Sequence, residues 1–159
     1  MFKNISAFME NLGPSQSAFY LIKEWNKARN NTSLSLGAFV NVHSMPVSTC
    51  LFSYKLSAFM SSYQGVLIST TVKNAAISLK VPTKMDRYLY LWDFEWTKGK
   101  PSYSSICEVL RNDKLKIITR SDDHARMVEN FCNKRPVGIV DNWNLKQIES
   151  ILGLGDHNS

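Results

Sequence analysis

The 159-residue sequence lacks any apolar run of the roughly 18 residues that a membrane-spanning helix needs. Its opening residues, MFKNISAFMENLGPSQ, contain neither a long apolar segment nor a small-residue cleavage site, so they do not predict a secretory signal. Cysteine is scarce: Cys50, Cys107 and Cys132 are widely spaced and form no CxxC pair. These absences predict a cytoplasmic protein with reduced thiols, and neither a disulfide framework nor a zinc site.

Acidic residues are absent between Glu24 and Asp86, although the chain stays basic through that stretch. The whole chain carries a net charge of +6, and the cations in or beside the gap are Lys27, Arg29, Lys55, Lys73, Lys80 and Lys84. Such asymmetry suits an anionic partner, for example a phosphate-bearing ligand or nucleic acid. Scattered lysines on a soluble basic protein would give the same pattern, so both interpretations stay open.

Short signatures of known chemistry are missing as well. The sequence has no GxGxxG, GxxxxGK[ST], GxSxG or HExxH motif, so no dinucleotide fingerprint, phosphate loop, nucleophile elbow or metal site is predicted. No motif in the sequence predicts a cofactor either. Candidate functional residues must therefore be chosen by their position in the predicted fold.

Short apolar runs do alternate with amphipathic stretches along the chain. We predict strands at 5–9, 36–42, 65–69, 87–92, 115–119 and 136–140, and helices at 15–28, 51–61, 72–79, 101–110, 122–133 and 144–152. Helices that connect short apolar strands imply crossovers and a mostly parallel sheet with helices on both faces. This order predicts one doubly wound, Rossmann-like α/β domain over residues 1–152, followed by a flexible tail at 153–159.

In such sheets ligands bind beyond the carboxyl ends of the strands, so the residues after each strand are the candidates. After the first strand these are Gly13, where the backbone can approach a ligand closely, with Ser15 and Gln16 at the start of a helix. After the third predicted strand come three hydroxyl side chains, at Ser69, Thr70 and Thr71. One of the three is predicted to cap the following helix.

The stretch RYLYLWDFEW, residues 87–96, ends in two tryptophans that enclose two acids. In an extended chain Asp93 and Glu95 point the same way, and Trp92 and Trp96 point the other way. Tryptophan beside a carboxylate is common in sugar-binding clefts, where the ring packs on the sugar and the acid accepts from its hydroxyls. The alternative is a packed corner with solvated acids.

Two later strand ends offer further candidates. Arg120 and Ser121 follow the fifth predicted strand, and Asp141 and Asn142 follow the sixth. An arginine at a strand end can bind a phosphate or carboxylate through two parallel hydrogen bonds. His124 could act as a base, but it shares a helix face with apolar residues, which is typical of a structural histidine.

Three segments together resemble a known family. The run LKIITRSDDHARMVENFCNKRPVGIVDNWNL, residues 115–145, resembles the end of the N-terminal domain of GT-B glycosyltransferases. The opening ISAFMENLGPSQSAFYLIKEWNK is similar to the first strand, glycine loop and helix of that domain, and RYLYLWDFEW occupies the position of a strand that ends in an acidic corner. There is a looser similarity to small glycosyltransferase-like proteins of phages, which would act in the host cytoplasm.

The resemblance implies a sugar or nucleotide-containing ligand at the strand ends, with a nucleotide sugar as donor and Asp93 or Glu95 as the base. GT-B enzymes bind the donor mainly through a second domain. The resemblance therefore implies that this chain corresponds to the acceptor half, and that a second chain or a homo-oligomer completes the cleft. The acceptor could be nucleic acid.

Two other functions fit the same sequence. One is a non-enzymatic Rossmann-like module that binds a nucleotide, nucleic acid or a protein partner. The other is a small phosphate-handling enzyme of flavodoxin-like topology, which is disfavoured because no aspartate directly follows the first strand.

Overall fold

The computed structural model describes residues 4–30, 32–93 and 102–154. The strands are β1 Asn4–Met9, β2 Ser35–Val40, β3 Ser53–Leu56, β4 Gly65–Ser69, β5 Met85–Tyr90, β6 Leu115–Thr119 and β7 Gly138–Ile139. The helices are α1 Gln16–Ala28, α2 Val72–Leu79, α3 Tyr103–Leu110, α4 Asp122–Cys132 and α5 Leu145–Ile151, with a 3-10 helix at Ser57–Ser62.

The sheet has the order β3-β2-β1-β4-β5-β6-β7, and all its strand pairs are parallel. Ile5 of β1 lies between Leu36 of β2 and Val66 of β4, so β1 is central. From β1 the chain first builds outward through β2 and β3, then crosses back to β4 and builds in the other direction. This confirms the predicted doubly wound fold and puts the topological switch between β1 and β4.

Helices cover both faces of the sheet. On one face α1 and α5 pack over a core that includes Trp25, Tyr90 and Trp143. On the other face α2, α3 and α4 lie side by side over Leu89 and Ile117. Every residue of β4 is buried, as expected for a central parallel strand covered on both faces.

Three helices begin at the hydroxyl residues that the sequence indicates. Ser15, Thr71 and Ser121 are in extended conformation, and each side chain accepts a hydrogen bond from the backbone N–H three residues later. Such caps satisfy an otherwise unpaired N–H at the helix start. They fix where α1, α2 and α4 begin relative to the strands before them.

The predicted helix at 51–61 is wrong. Its first part is the edge strand β3, which pairs with β2 through Gly37↔Ser53 and Val40↔Leu56, and its second part is the 3-10 helix. The residues of β3 alternate between exposed and half-buried, as in a strand with one solvated face. Pairing with β2 thus overrides the helical spacing, which extends over only a few residues.

Several predicted ends also shift. The second strand ends at Val40, the strand at 87–92 ends at Tyr90, and the last strand is reduced to Gly138–Ile139. Leu154 packs against the core, so the packed chain continues two residues past the predicted domain boundary. Among the described residues, no helix combines the length and the apolar character that crossing a bilayer requires.

Candidate functional site

A cleft of about 670 Å³ lies at the topological switch, beyond the carboxyl ends of β1 and β4. It brings together six residues predicted from the sequence: Ser15, Gln16, Thr70, Thr71, Trp92 and Asp93. Its volume falls within the range of roughly 300–1,000 Å³ typical of small-molecule sites. Residues from three separate strand ends therefore share one wall, as the fold rule predicts.

The hydroxyl groups of this wall mostly have structural partners. Thr70 donates to the Phe8 carbonyl at 3.3 Å, while Ser15 and Thr71 accept from the backbone of α1 and α2. A hydroxyl group that accepts a capping hydrogen bond keeps its own O–H, so the Ser15 and Thr71 hydroxyls can both donate to a ligand. The amino ends of α1 and α2 thus border the cleft, where helix dipoles favour negative charge.

Gly13 lies next to the cleft in a tightly packed turn. Its N–H donates to Asn11 Oδ1 at 2.8 Å, and a Cβ added at Gly13 would lie 2.9 Å from that oxygen and 3.2 Å from Ser44 Oγ. A side chain at this position would therefore displace the side-chain ends of Asn11 and Ser44. Ser69, by contrast, is 1% exposed and is not part of the cleft wall, and its Oγ has no hydrogen-bond partner in the described part of the chain.

Trp92 is a packed corner as well as part of the wall. Only 7% of it is exposed, and the rings of Tyr90 and Tyr20 lie 5.6 and 6.2 Å from it, centroid to centroid. The guanidinium of Arg120 covers its ring at 3.9 Å. Asp93 is exposed on the cleft. The predicted partners Glu95 and Trp96 lie outside the described residues.

The remaining predicted residues lie away from the cleft wall. Arg120 stacks on Trp92, and the Ser121 hydroxyl caps α4. The Asp141 N–H donates to Gln147 Oε1 at 2.7 Å, and Asn142 adopts a left-handed conformation with φ of 44°. These four positions shape the turns after β6 and β7, although Arg120 connects that end of the sheet to the cleft through Trp92.

Residues beside the cleft that the sequence reasoning missed form a polar network. Glu10 accepts from Asn41 Nδ2 at 2.8 Å, the same amide group lies 2.8 Å from Asn74 Oδ1, and Lys73 Nζ lies 3.8 Å from Glu10 Oε2. Glu10 and Asn41 directly follow β1 and β2. The rule for strand ends points to Glu10, which directly follows the predicted strand at 5–9. It misses Asn41, because the predicted second strand at 36–42 includes that residue.

A cluster of buried aromatic side chains, Tyr90, Trp143 and Trp25, packs behind Trp92 of the cleft wall. The Tyr90 hydroxyl donates to the Val140 carbonyl at 2.5 Å, and burial raises the pKa of Tyr90 to about 12. Its ring lies 4.9 Å from that of Trp143, which in turn lies 5.9 Å from Trp25. Tyr90 therefore stays neutral at ordinary pH and serves as scaffold.

Within the described residues, no three His, Cys, Asp or Glu side chains cluster closely enough to hold a metal ion. The described side chains of the cleft wall supply carboxylates, hydroxyls, amides and one lysine. Comparison of the chain with protein-family models, with curated proteins and with solved structures finds no match.

Proposed function

We propose that the chain binds a sugar-containing ligand, free or attached to a nucleotide, in the switch-point cleft and acts as a glycosyltransferase-like protein. The observation that carries the proposal is the composition of the wall: hydroxyls, amides and carboxylates from three strand ends surround a cleft of about 670 Å³. A sugar offers many hydroxyl groups, each of which can both donate and accept. Such a wall offers hydrogen-bond partners to the hydroxyl groups of a sugar, whereas an apolar ligand would leave the polar groups of the wall without partners.

A nucleotide portion would use the other feature of the cleft. The amino ends of α1 and α2 meet there, and free backbone N–H groups at helix starts favour phosphate. The hexose would then extend toward Asp93. As an exposed carboxylate on the cleft, Asp93 is our candidate base for the proton of an acceptor hydroxyl.

The described residues form a single domain, and under this proposal a donor-binding domain like that of GT-B enzymes would be supplied by a separate domain or chain. We place the activity in the cytoplasm because Cys50, Cys107 and Cys132 are all unpaired. Burial raises the pKa of the Cys50 and Cys132 thiols, which disfavours the reactive thiolate.

Thermal unfolding and calorimetry test the proposal. The probes are UDP-glucose, UDP-N-acetylglucosamine, GDP-mannose and ADP-glucose, together with their free nucleotides and sugars. At 100 times its dissociation constant, a true ligand stabilises the fold by about 2.7 kcal/mol. If no probe shifts the unfolding temperature, the proposal is wrong.

A matched pair of variants tests the role of Asp93. Asp93→Asn should abolish transfer to an acceptor, and its unfolding temperature is measured alongside to show that it folds. Asp113→Asn removes an equally exposed carboxylate that is not part of the cleft wall, and it should behave as wild type. Equal transfer by both variants would rule out Asp93 as the base.

A second candidate function is supported by a separate groove of about 340 Å³ near the amino ends of β5 and β6. Lys84, Lys114 and Lys116 line it, with Asp86 and Asp113 as the opposing charges. Arg87 also lines it, but its guanidinium donates to the carbonyls of Ser78 and Val81. Under this alternative the chain is a non-catalytic module that binds nucleic acid there.

Salt dependence separates the two candidates. Replacing Lys84, Lys114 and Lys116 by alanine should weaken DNA binding and reduce the salt slope by roughly 0.9 per lost phosphate contact. The control triple variant replaces Lys23, Lys27 and Lys146, three exposed lysines that do not line the groove. If the two triple variants bind DNA equally, the groove is not the binding surface.

A further inference from the structure

A buried amide lies behind the cleft. Asn74 belongs to α2, yet it is 0% exposed. Its Nδ2 donates to the Phe8 carbonyl at 3.3 Å, and its Oδ1 accepts from Asn41 Nδ2 at 2.8 Å. Burying an amide costs free energy unless it is hydrogen-bonded, so these two bonds fix both Asn74 and the side chain of Asn41.

Asn41 in turn positions Glu10, a residue of the cleft wall. The same Nδ2 that bonds Asn74 also donates to Glu10 Oε2 at 2.8 Å. Lys73 Nζ lies 3.8 Å from that oxygen as well. Glu10 Oε2 is therefore held from two sides, whereas Oε1 has no hydrogen bond to any described residue and remains available for a ligand.

The charges decide which ligand group fits there. Among the described residues that line the cleft, Glu10, Asp93 and Lys73 are the charged ones. An ionised carboxylate only accepts hydrogen bonds. A phosphate facing Glu10 would be repelled, whereas a hydroxyl group would donate to it.

We infer that Glu10 is the residue that recognises the sugar hydroxyls of the ligand, and that Asn41 is its positioning residue, itself fixed by Asn74. This inference rests on the proposed function, because it assigns the ligand's hexose to one end of the same cleft. Any phosphate would lie at the start of α1, because Lys73 in the first turn of α2 is itself beside Glu10. The network could instead serve only to connect α2 to β1 and β2, and the experiment separates the two.

The experiment compares nucleotide sugars with their free nucleotides by calorimetry. The pairs are UDP-glucose and UDP, UDP-N-acetylglucosamine and UDP, GDP-mannose and GDP, and ADP-glucose and ADP. Glu10→Gln keeps the shape of the side chain and removes the charge. Its affinity for the best nucleotide sugar should fall by about 10- to 100-fold, because hydrogen bonds to charged groups are strong.

The free nucleotide is the internal reference, and its affinity should change less than about twofold in Glu10→Gln. Asn41→Ala should reduce the preference for the nucleotide sugar over the nucleotide in the same direction and to a smaller degree. A purely structural network would lower both affinities together. Glu108→Gln is the control, since it removes an exposed carboxylate on α3.

The outcomes are distinct. If wild type prefers a nucleotide sugar and Glu10→Gln keeps that preference, the assignment of Glu10 is wrong and the proposed function stands. If wild type binds no nucleotide sugar, both the proposed function and this inference fail. The Glu10 side chain is 47% exposed, so Glu10→Gln should fold, and its unfolding temperature is measured alongside.

Discussion

The guanidinium carbon of Arg120 lies 3.9 Å from the centroid of the Trp92 ring. The first residue after β6 thus covers the aromatic residue two positions past the end of β5. One face of the indole is occupied by a cation, and the ring is 7% exposed. Trp92 therefore serves first as a packed corner.

A double-mutant cycle should detect this contact. With Trp92→Leu and Arg120→Ala, which remove the aromatic face and the cation, we expect a coupling free energy of unfolding of about 0.5–2 kcal/mol, measured in urea. Lys116 lies 5.6 Å from the ring centroid of Tyr88 and provides the matched, longer contact. The cycle with Lys116→Ala and Tyr88→Leu should give the smaller coupling. Equal couplings would mean that the stacking on Trp92 adds nothing.

Ser17 satisfies a buried indole. Trp143 is 0% exposed, and its Nε1–H donates to Ser17 Oγ at 3.1 Å. Ser17→Ala should reduce the free energy of unfolding by about 1–3 kcal/mol, because the indole N–H loses its partner. Ser104 holds the same second position in α3 but is exposed, so Ser104→Ala should change stability by less than about 0.5 kcal/mol. Chemical denaturation compares the two, and equal effects would contradict the prediction.

The turn after β7 depends on a left-handed residue. Asn142 has φ of 44°, and Trp143 follows with φ of 62°. A Cβ without a compensating polar side chain costs roughly 1–2 kcal/mol in this conformation, so Asn142→Ala should destabilise by that amount. Asn142→Gly should stay close to wild type, because glycine adopts this region freely. The measurement is the unfolding temperature of each variant. Equal unfolding temperatures for Asn142→Ala and Asn142→Gly would be inconsistent with a left-handed conformation at this position.

Alkaline pH should unfold the protein through its buried tyrosines. Burial raises the pKa of Tyr63 and of Tyr90 to about 12, above the usual value of 10.0. A raised pKa means that the folded state holds the proton more tightly, so this stability is complete below pH 10 and is lost between pH 10 and 12. Each tyrosine contributes a slope of about 1.4 kcal/mol per pH unit in that window.

Urea unfolding at pH 8, 10, 11 and 11.5 measures this slope. Tyr90→Phe should be less stable at pH 8, since Val140 loses its hydrogen bond, but its stability should fall less steeply above pH 10. Tyr63→Phe should behave in the same way, because its hydroxyl donates to the Val66 carbonyl. Parallel curves for wild type and Tyr90→Phe would show that Tyr90 does not titrate in this window.

Local signals in the sequence were sufficient for most of the elements. Ser15, Thr71 and Ser121 mark helix starts because a capping bond involves only residues three apart. The apolar runs of β4 and β6 indicate buried strands because both faces of a parallel sheet are covered. The helix prediction at 51–61 is wrong for the opposite reason. β3 forms because it pairs with β2, and the local sequence pattern contains no information about that pairing.

By itself the sequence determined the doubly wound class and six of the chain positions that border the cleft, because these follow from periodicity, caps and the rule for strand ends. Only the tertiary structure decided which of those positions meet. Arg120 covers Trp92 from 28 residues away in sequence, and Asn41 connects Glu10 to Asn74 across three strand ends. Such contacts depend on strand order and on side-chain direction at each crossover, and both are set by packing between residues distant in the chain.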